Sequence, residues 1–454
     1  MAEFFDFSLN QNPWWETKAA ISKDSKIVDF EEARLKWHPQ SVLNLPLTTG
    51  AVHIIYGPRQ VGKSTALKLL IRKLLAKYDA HNIFYFNCDL LATRKDLVEL
   101  LTDYLNWVKA KRGKKFLFLD EISSLPDWPF AIKWLIDSGL GKNAVFFLTG
   151  STSIHLKKSG EYLPGRRGEG KDVFLYPLSF FEFLKLFYPK AEQYKFDGKF
   201  SALKNFWHSV KVAVPDLPEK TQQFFLTGGF LRVINESSPS GTINSSTVEL
   251  YKSWLKSEMA KNEKKEVLVR VILEKVFESL ATGISYQSVA QYADLGSHNT
   301  ARDYLQFLKD SFFLLEAPLF EISQKRVLWR KNKKFYCSDP FIFWLLFSFV
   351  FGGEDVSQIA SRKLKDPDFL AKFVENLVGT EISKKGKELF YYQNRREIDF
   401  VFQDDTLPIE VKYQRRVIPA DFSYLKKGIV ISKSDFFVDK EVLVLPLDLF
   451  LLLG

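Results

Sequence analysis

The stretch AVHIIYGPRQVGKSTALKLL, residues 51–70, decides the fold. It begins with an apolar run that ends at Gly57, passes through GPRQVGKST, and enters a helical pattern that continues to Tyr78. A short apolar run closed by glycine reads as a buried strand, and apolar residues at helical spacing after Lys63 read as a helix. Between them Gly57, Pro58, Arg59, Gln60, Val61, Gly62, Lys63, Ser64 and Thr65 fit G-x-x-x-x-G-K-[ST] at every fixed position, the Walker A pattern. Such a loop lets successive backbone N–H groups wrap a phosphate chain, and the helix N-terminus adds favourable partial charge. Lys63 is expected to reach the β- and γ-phosphates, Ser64 to join the Mg²⁺ shell and Thr65 to contact the α-phosphate. ATP and Mg²⁺ are therefore the expected cofactors.

Working outward, NIFYFNC (82–88), FLFLDE (116–121), AVFFLTG (144–150) and VFLYPLS (173–179) read as further strands, separated by helical runs at 97–108 and 131–138. Fully apolar strands alternating with helices predict an α/β fold with a parallel sheet covered on both faces. Ligands bind such sheets at the carboxyl ends of the strands. Asp120 is expected there to hold Mg²⁺, and Glu121 to polarise the attacking water, as a Walker B pair. Ser151 and Thr149, where the next strand ends, are both candidates for positioning that water. The loop LPGRRGEG (163–170) carries Arg166 and Arg167. Arg167 reaching a neighbour's γ-phosphate would stabilise transition-state charge and imply a homo-oligomer.

After residue 180 the pattern turns helical, and the Ser-rich stretch 235–247 reads as a linker or loop. The segments 285–293 and 298–311 form a helix, a short turn and a second helix, followed by a candidate hairpin. That is the layout of a winged helix. His298, Asn299, Arg302 and Gln306 would face outward, with Leu305 and Leu308 inward. Lys325, Arg326, Arg330, Lys331, Lys333 and Lys334 cluster on the candidate wing, and Lys384, Lys385, Lys387, Arg395, Arg396, Arg415 and Arg416 cluster near the C-terminus. Phosphate-backbone contacts need such residues. A helix at 369–384 then precedes strands at 389–394, 397–403 and 407–414.

The P-loop, the DEI after its apolar strand, LTGSTS, GRRG and YPLSFFEF together resemble the AAA+-superfamily ATPases common in archaea and bacteria, of the DUF4143-like kind. TGGF (227–230) resembles their lid segment. The resemblance implies a winged helix and a C-terminal nuclease-like domain, and gives domains at 1–190 (ATPase core), 191–260 (helical lid), 261–340 (winged helix-turn-helix) and 341–454. In the last, Asp399, Glu410 and Lys412 have the spacing D-x10-E-x-K, which resembles the PD-(D/E)xK nuclease signature, with Ile398 in place of its proline. Residues i and i+2 of a strand share a face, so Glu410 and Lys412 point the same way, and a hairpin would bring Asp399 beside them. Asp399 and Glu410 would hold Mg²⁺ or Mn²⁺, and Lys412 would steady the attacking water or the developing phosphorane charge. Glu375 resembles the additional acidic residue of such nucleases, with Glu381 as the alternative.

The 454 residues carry a net charge of +10, which favours a polyanionic partner such as DNA. Only two cysteines are present, far apart, so neither a zinc site nor a disulfide framework is expected. The apolar run 341–351 is about half the length of a membrane span and reads as a buried helix. A cytoplasmic ATPase without a membrane anchor is expected. The favoured function is ATP-dependent DNA binding with metal-dependent cleavage. The alternative is a non-cleaving ATPase switch that docks DNA or a protein partner, and a signalling ATPase acting on another protein is a third class.

Overall fold

The computed structural model describes residues 8–150, 163, 165–195, 200–352, 355–404 and 406–454. The chain divides into two compact units, Met1–Tyr176 and Pro177–Gly454.

The first unit is built on a five-stranded parallel sheet: β1 (Val52–Tyr56), β2 (Ile83–Asn87), β3 (Lys115–Asp120), β4 (Ala144–Gly150) and β5 (Asp172–Phe174), in the order β2-β3-β4-β1-β5. β3 and β4 are buried along their whole length, as their unbroken apolar runs require. VFLYPLS gives only the short edge strand β5, which ends at Phe174 opposite Tyr56, the last residue of its partner β1. Helices α1 (Ser25–Glu32), α2 (Gln40–Leu43), α3 (Lys63–Leu75), α4 (Arg94–Trp107) and α5 (Trp128–Asp137) accompany the sheet. α3 packs on β2 and β4, while α4 and α5 pack on each other. Thr93 and Asp96 form a capping box that starts α4.

The N-terminal NQNPWW, for which the sequence suggested no role, covers the β2 edge. Asn12 Nδ2 donates to Tyr85 O at 2.8 Å, and Asn12 Oδ1 accepts from Tyr85 N at 2.7 Å. One side-chain amide thus stands in for a neighbouring strand. Trp14 and Trp15 both donate to Ile83 O, at 3.0 and 2.9 Å. An edge whose polar groups are taken in this way offers no template for pairing with another chain.

The second unit begins with α6 (Phe180–Phe187), α7 (Phe200–Ala213), α8 (Leu217–Thr227), α9 (Leu231–Ser240) and α10 (Ser245–Lys261). Stretch 235–247 is therefore mostly helical, not a linker; packing of Val248 and Tyr251 overrides the weak helix preference of its serines. Next come α11 (Glu266–Glu278), α12 (Tyr286–Tyr292), α13 (His298–Asp310), and the strands β6 (Leu314–Pro318), β7 (Phe320–Glu321), β8 (Arg326–Val327) and β9 (Lys333–Cys337). β6 pairs antiparallel with β9, and β7 with β8. Pro340–Phe351 forms α14, whose side chains are buried from Pro340 to Phe349. A helix apolar on all faces belongs in a core, and both α8 and α11 pack against it. No single helix among the described residues is long and apolar enough to cross a membrane.

After α15 (Val356–Lys363) and α16 (Pro367–Lys384), a six-stranded sheet forms from β10 (Phe390–Gln393), β11 (Glu397–Val401), β12 (Ile409–Lys412), β13 (Lys427–Ser432), β14 (Phe437–Asp439) and β15 (Glu441–Pro446). Its order is β10-β11-β12-β13-β15-β14. β11 and β12 are antiparallel, and β12, β13 and β15 run parallel. α16 packs on both β9 and β12.

TGGF ends α8 as a structural pin. Gly229 N donates to Asp339 Oδ2 at 2.9 Å, and Leu178 N donates to Gly229 O at 2.8 Å. Asp339 also accepts from Lys384, whose Nζ pairs with Glu381 at 3.0 Å. Buried ionic groups are held where each finds such partners. Glu381, the alternative acidic ligand, thereby belongs to this pin, and Lys384 is unavailable for phosphate contact.

Candidate nucleotide site and C-terminal carboxylate site

The loop from Gly57 to Gly62 joins β1 to α3 at the carboxyl edge of the first sheet. Gly57 is required by close approach: a Cβ there would meet the Leu175 carbonyl oxygen at 2.2 Å. Gly62 precedes α3 with φ of 97°, a left-handed conformation that only glycine adopts without strain. Lys63 is buried and donates to Gly57 O and Pro58 O, both at 3.0 Å. Its Nζ lies 3.8 Å from Glu121 Oε1. Ser64 and Thr65 occupy the first turn of α3, half-buried.

Asp120 ends β3 fully enclosed. Its Oδ2 accepts from Tyr85 OH at 2.7 Å, and its Oδ1 accepts from the Thr149 hydroxyl. Thr149 Oγ1 in turn accepts from Glu121 N at 2.9 Å. Thr149 is therefore the link between the two acidic residues, and its hydroxyl is aimed at Asp120, not at open space. Ser151 lies outside the described residues. Glu121 has φ of 51°. A non-glycine residue held there stores roughly 1–3 kcal/mol of strain, as catalytic positions often do.

Tyr85 was missed by sequence reasoning, because it is one aromatic among several in an apolar strand. Only the alternation of side chains along β2, with Tyr85 two residues before its polar end Asn87, hinted at it. Burial first, then the Asp120 carboxylate, pushes its hydroxyl well above the usual tyrosine range, so it stays a donor. Lys68, one turn into α3, is buried against Asp24 at 2.9 Å and lies 3.4 Å from the centre of the Tyr85 ring. Burial pulls its pKa down while Asp24 opposes.

Arg167 is engaged within its own chain. It pairs with Asp172 at 2.5 Å and reaches Val52 O at 3.4 Å. Arg166 pairs with Asp137 at 2.7 Å. An intersubunit role for Arg167 would require exchange of the Asp172 partner.

In the C-terminal sheet, antiparallel pairing with Phe400 opposite Ile409 brings Asp399 beside Glu410. Asp399 N donates to Glu410 Oε2 at 3.3 Å, and Val411 N donates to Asp399 Oδ2 at 2.9 Å. Glu410 Oε1 accepts from Lys412 Nζ at 2.7 Å and from Tyr424 OH at 2.5 Å. Glu375, from α16, joins them through Lys334: Nζ lies 2.9 Å from Glu375 Oε1, 3.0 Å from Asp399 Oδ1 and 2.6 Å from Glu397 Oε1. Lys334 is thus a buried cation, not a wing contact. Lys333 is also internal, its Nζ donating to Trp329 O at 2.7 Å. Both were placed on the wing surface by a charge run that does not distinguish strand faces.

Burial, then the Asp399 charge, raises the Glu375 carboxyl to about 8 and that of Glu410 to about 7. Burial alone would depress the Lys334 ammonium, but Tyr336, Asp399, Glu375 and Glu397 outweigh it and hold its pKa well above the usual lysine range. Among the described residues, no group of three or more His, Cys, Asp or Glu is disposed to hold a metal ion.

A third feature is a groove of about 670 Å³ between α13 and the segment entering β9. His298, Asn299, Arg302 and Gln306 line one side, all exposed, while Leu305 and Leu308 point into the core. Trp329, Arg330 and Lys331 line the other, and Trp329 is 65% exposed.

Residues 49–184 match the AAA domain family. This part of the chain is similar to AAA-type P-loop domains. Residues 371–447 match a domain of unknown function, DUF4143. The chain is 23% identical to the uncharacterized protein MJ1544 of Methanocaldococcus jannaschii over 408 residues, 87% of this chain and 79% of that one. It is 29% identical to MJ1637 of the same organism over 136 residues, 29% and 27% of the two chains. Among solved structures, the ORC2 protein of Aeropyrum pernix overlaps 70% of this chain and 89% of its own, at 13% identity and a TM-score of 0.38. The Walker-type ATPase of Pyrococcus abyssi overlaps 65% and 91%, at 14% identity and a TM-score of 0.40.

Both oxygens of Asp120 already accept from protein hydroxyls, so its surroundings fit a Mg²⁺ held through water and not by direct ligation. Asp120 is a buried carboxylate oriented by two hydroxyl donors at the end of β3, and Ser64 lies in the first turn of α3.

Proposed function

We propose that the protein is an ATPase whose nucleotide cycle governs docking on DNA. Support for the ATPase half comes from the P-loop, the Asp120–Thr149–Glu121 relay and the AAA match. Bound Mg²⁺ would neutralise phosphate charge. Lys63 would exchange the Gly57 and Pro58 carbonyls for the phosphates. Ser64 and Asp120 would hold the ion, and Glu121 would orient the attacking water.

The observation that carries the DNA half is the groove beside α13. Helices α11–α13 with the β6–β9 pair are read as a winged helix, with α13 as its presented element. Arg302, Arg330 and Lys331 supply phosphate contacts, Asn299 and Gln306 can donate to base edges, and Trp329 offers a flat apolar face. A groove so rich in amides and cations favours DNA over a protein partner. The C-terminal domain is read as a docking element, because Lys334 occupies the midst of its carboxylates.

The test is DNA binding at several salt concentrations by wild type, Arg302→Ala and Lys331→Ala. Each variant should bind more weakly and lower the salt slope by about one. Unchanged affinity and slope in both would move the interface elsewhere and revive the protein-partner reading.

A further inference from the structure

A nuclease site of the PD-(D/E)xK kind needs oxygens of its two sheet carboxylates open to a divalent cation at about 2.0–2.1 Å for Mg²⁺. Here all four are engaged by protein donors. Asp399 Oδ1 accepts from Lys334 and Oδ2 from Val411 N. Glu410 Oε1 accepts from Lys412 and Tyr424, and Oε2 from Asp399 N. Glu375 Oε1 accepts from Lys334 and from Tyr336 OH at 2.7 Å.

Lys334 is not a mobile surface group that has swung in. Its strand, β9, is paired with β6 through the register Ala317 opposite Lys334, and its side chain is fully buried. An ammonium has three N–H donors. Glu375, Asp399 and Glu397 take three, at 2.6–3.0 Å. The donors and acceptors are matched, which is the condition for keeping a charge out of water. The divalent ion implied by the nuclease resemblance does not fit these residues as they stand.

We propose that Lys334 is a tethered cation standing in the place of that ion. The C-terminal domain then binds no divalent metal at Asp399 and Glu410 and cleaves no phosphodiester there. Its carboxylates instead fasten strand β9, and with it the α13 groove, to the C-terminal sheet. The proposal rests on the nuclease-like reading of the carboxylates and is independent of whether the groove binds DNA.

The test uses the full-length protein without nucleotide, titrated with Mn²⁺ and followed by electron paramagnetic resonance and calorimetry. Wild type, Asp399→Asn and Glu410→Gln are expected to give the same isotherm. Lys334→Ala is expected to gain a Mn²⁺ site and a Mn²⁺-dependent rise in melting temperature, both lost in Lys334→Ala/Asp399→Asn. A wild-type Mn²⁺ site that disappears in Asp399→Asn or Glu410→Gln would overturn the proposal, as would metal-dependent DNA cleavage abolished by Glu410→Gln. A folded Lys334→Ala protein that gains no Mn²⁺ site would also overturn it. If Lys334→Ala does not fold, Lys334→Gln replaces it, and the wild-type comparison decides by itself. Failure of DNA docking alone would sink the groove reading and leave this one standing.

Discussion

The Nζ of Lys334 on β9 lies 3.0 Å from Oδ1 of Asp399 on β11, with both residues buried. The two are 65 positions apart in sequence, and the contact joins the hairpin that follows α13 to the C-terminal sheet. Removing one partner of a buried charge network leaves the rest uncompensated. Lys334→Ala should therefore cost about 3–5 kcal/mol of stability. Lys331→Ala, on the surface, should change stability by no more than about 0.5 kcal/mol. Urea denaturation of both variants checks the contrast, and equal midpoints would contradict it.

Lys63→Ala should abolish ATP turnover. Glu121→Gln should retain ATP but slow hydrolysis by roughly 10²–10⁴-fold, the usual contribution of a positioned base. Single-turnover hydrolysis beside equilibrium nucleotide binding separates the two effects. Wild-type turnover in the Glu121 variant would assign water activation to another group.

Thr149→Val keeps the shape of the side chain and removes the hydroxyl shared by Asp120 and the Glu121 amide. In the proposed ATPase site both groups would face the phosphates, so we expect a fall in kcat of about tenfold, one hydrogen bond's worth. Thr149→Ser should restore activity. An equal loss in both variants would point to packing of the methyl group as the cause.

Arg167→Ala breaks a partly exposed pair with Asp172, which is worth no more than about 1 kcal/mol. If Arg167 completes a neighbour's site, specific ATPase activity should rise with protein concentration in wild type and stay flat in the variant. A defect equal at all concentrations would place its effect within one chain.

His53 is buried with Nε2 2.8 Å from Pro46 O, while Nδ1 accepts from Lys171 N at 3.1 Å. That backbone donor requires the neutral ring. Burial pulls its pKa below the ordinary 6.5, and the Arg167 and Lys171 charges add to this despite the Pro46 bond. A depressed folded pKa means that the unfolded chain binds the extra proton first. The contribution of His53 is therefore complete above about pH 6.5 and is lost as pH falls through the folded value. Melting temperatures from pH 7.5 to 5 should fall more steeply in wild type than in His53→Gln, and parallel profiles would remove the assignment.

Much of the geometry of the candidate nucleotide site was legible because it is local. Gly57 to Thr65 form one continuous loop, and the apolar run before Asp120 fixes it at a strand end. Tyr85 and Asn12 were not legible, since each acts on a strand far from it in sequence. The end of β1 at Tyr56 stopped at Phe174 a strand that apolar pattern alone had extended. The α9–α10 region looked like a linker because serine is a poor helix former in isolation, whereas Val248 and Tyr251 are held by tertiary packing.

By itself, the sequence determined the parallel α/β core, the phosphate loop, the pairing of Asp120 with Glu121, and the common face of Glu410 and Lys412. Each follows from periodicity or from neighbours within a few residues, which local backbone geometry governs. Only the tertiary structure decided which lysines meet solvent and which meet carboxylates. Lys331 and Lys334 read alike in a basic run. Strand pairing and the approach of α16 and β11 leave the first exposed and bury the second. A lysine's electrostatic role is set by what surrounds it in space, because the cost of desolvating its charge is recovered only where acceptors from other parts of the chain converge.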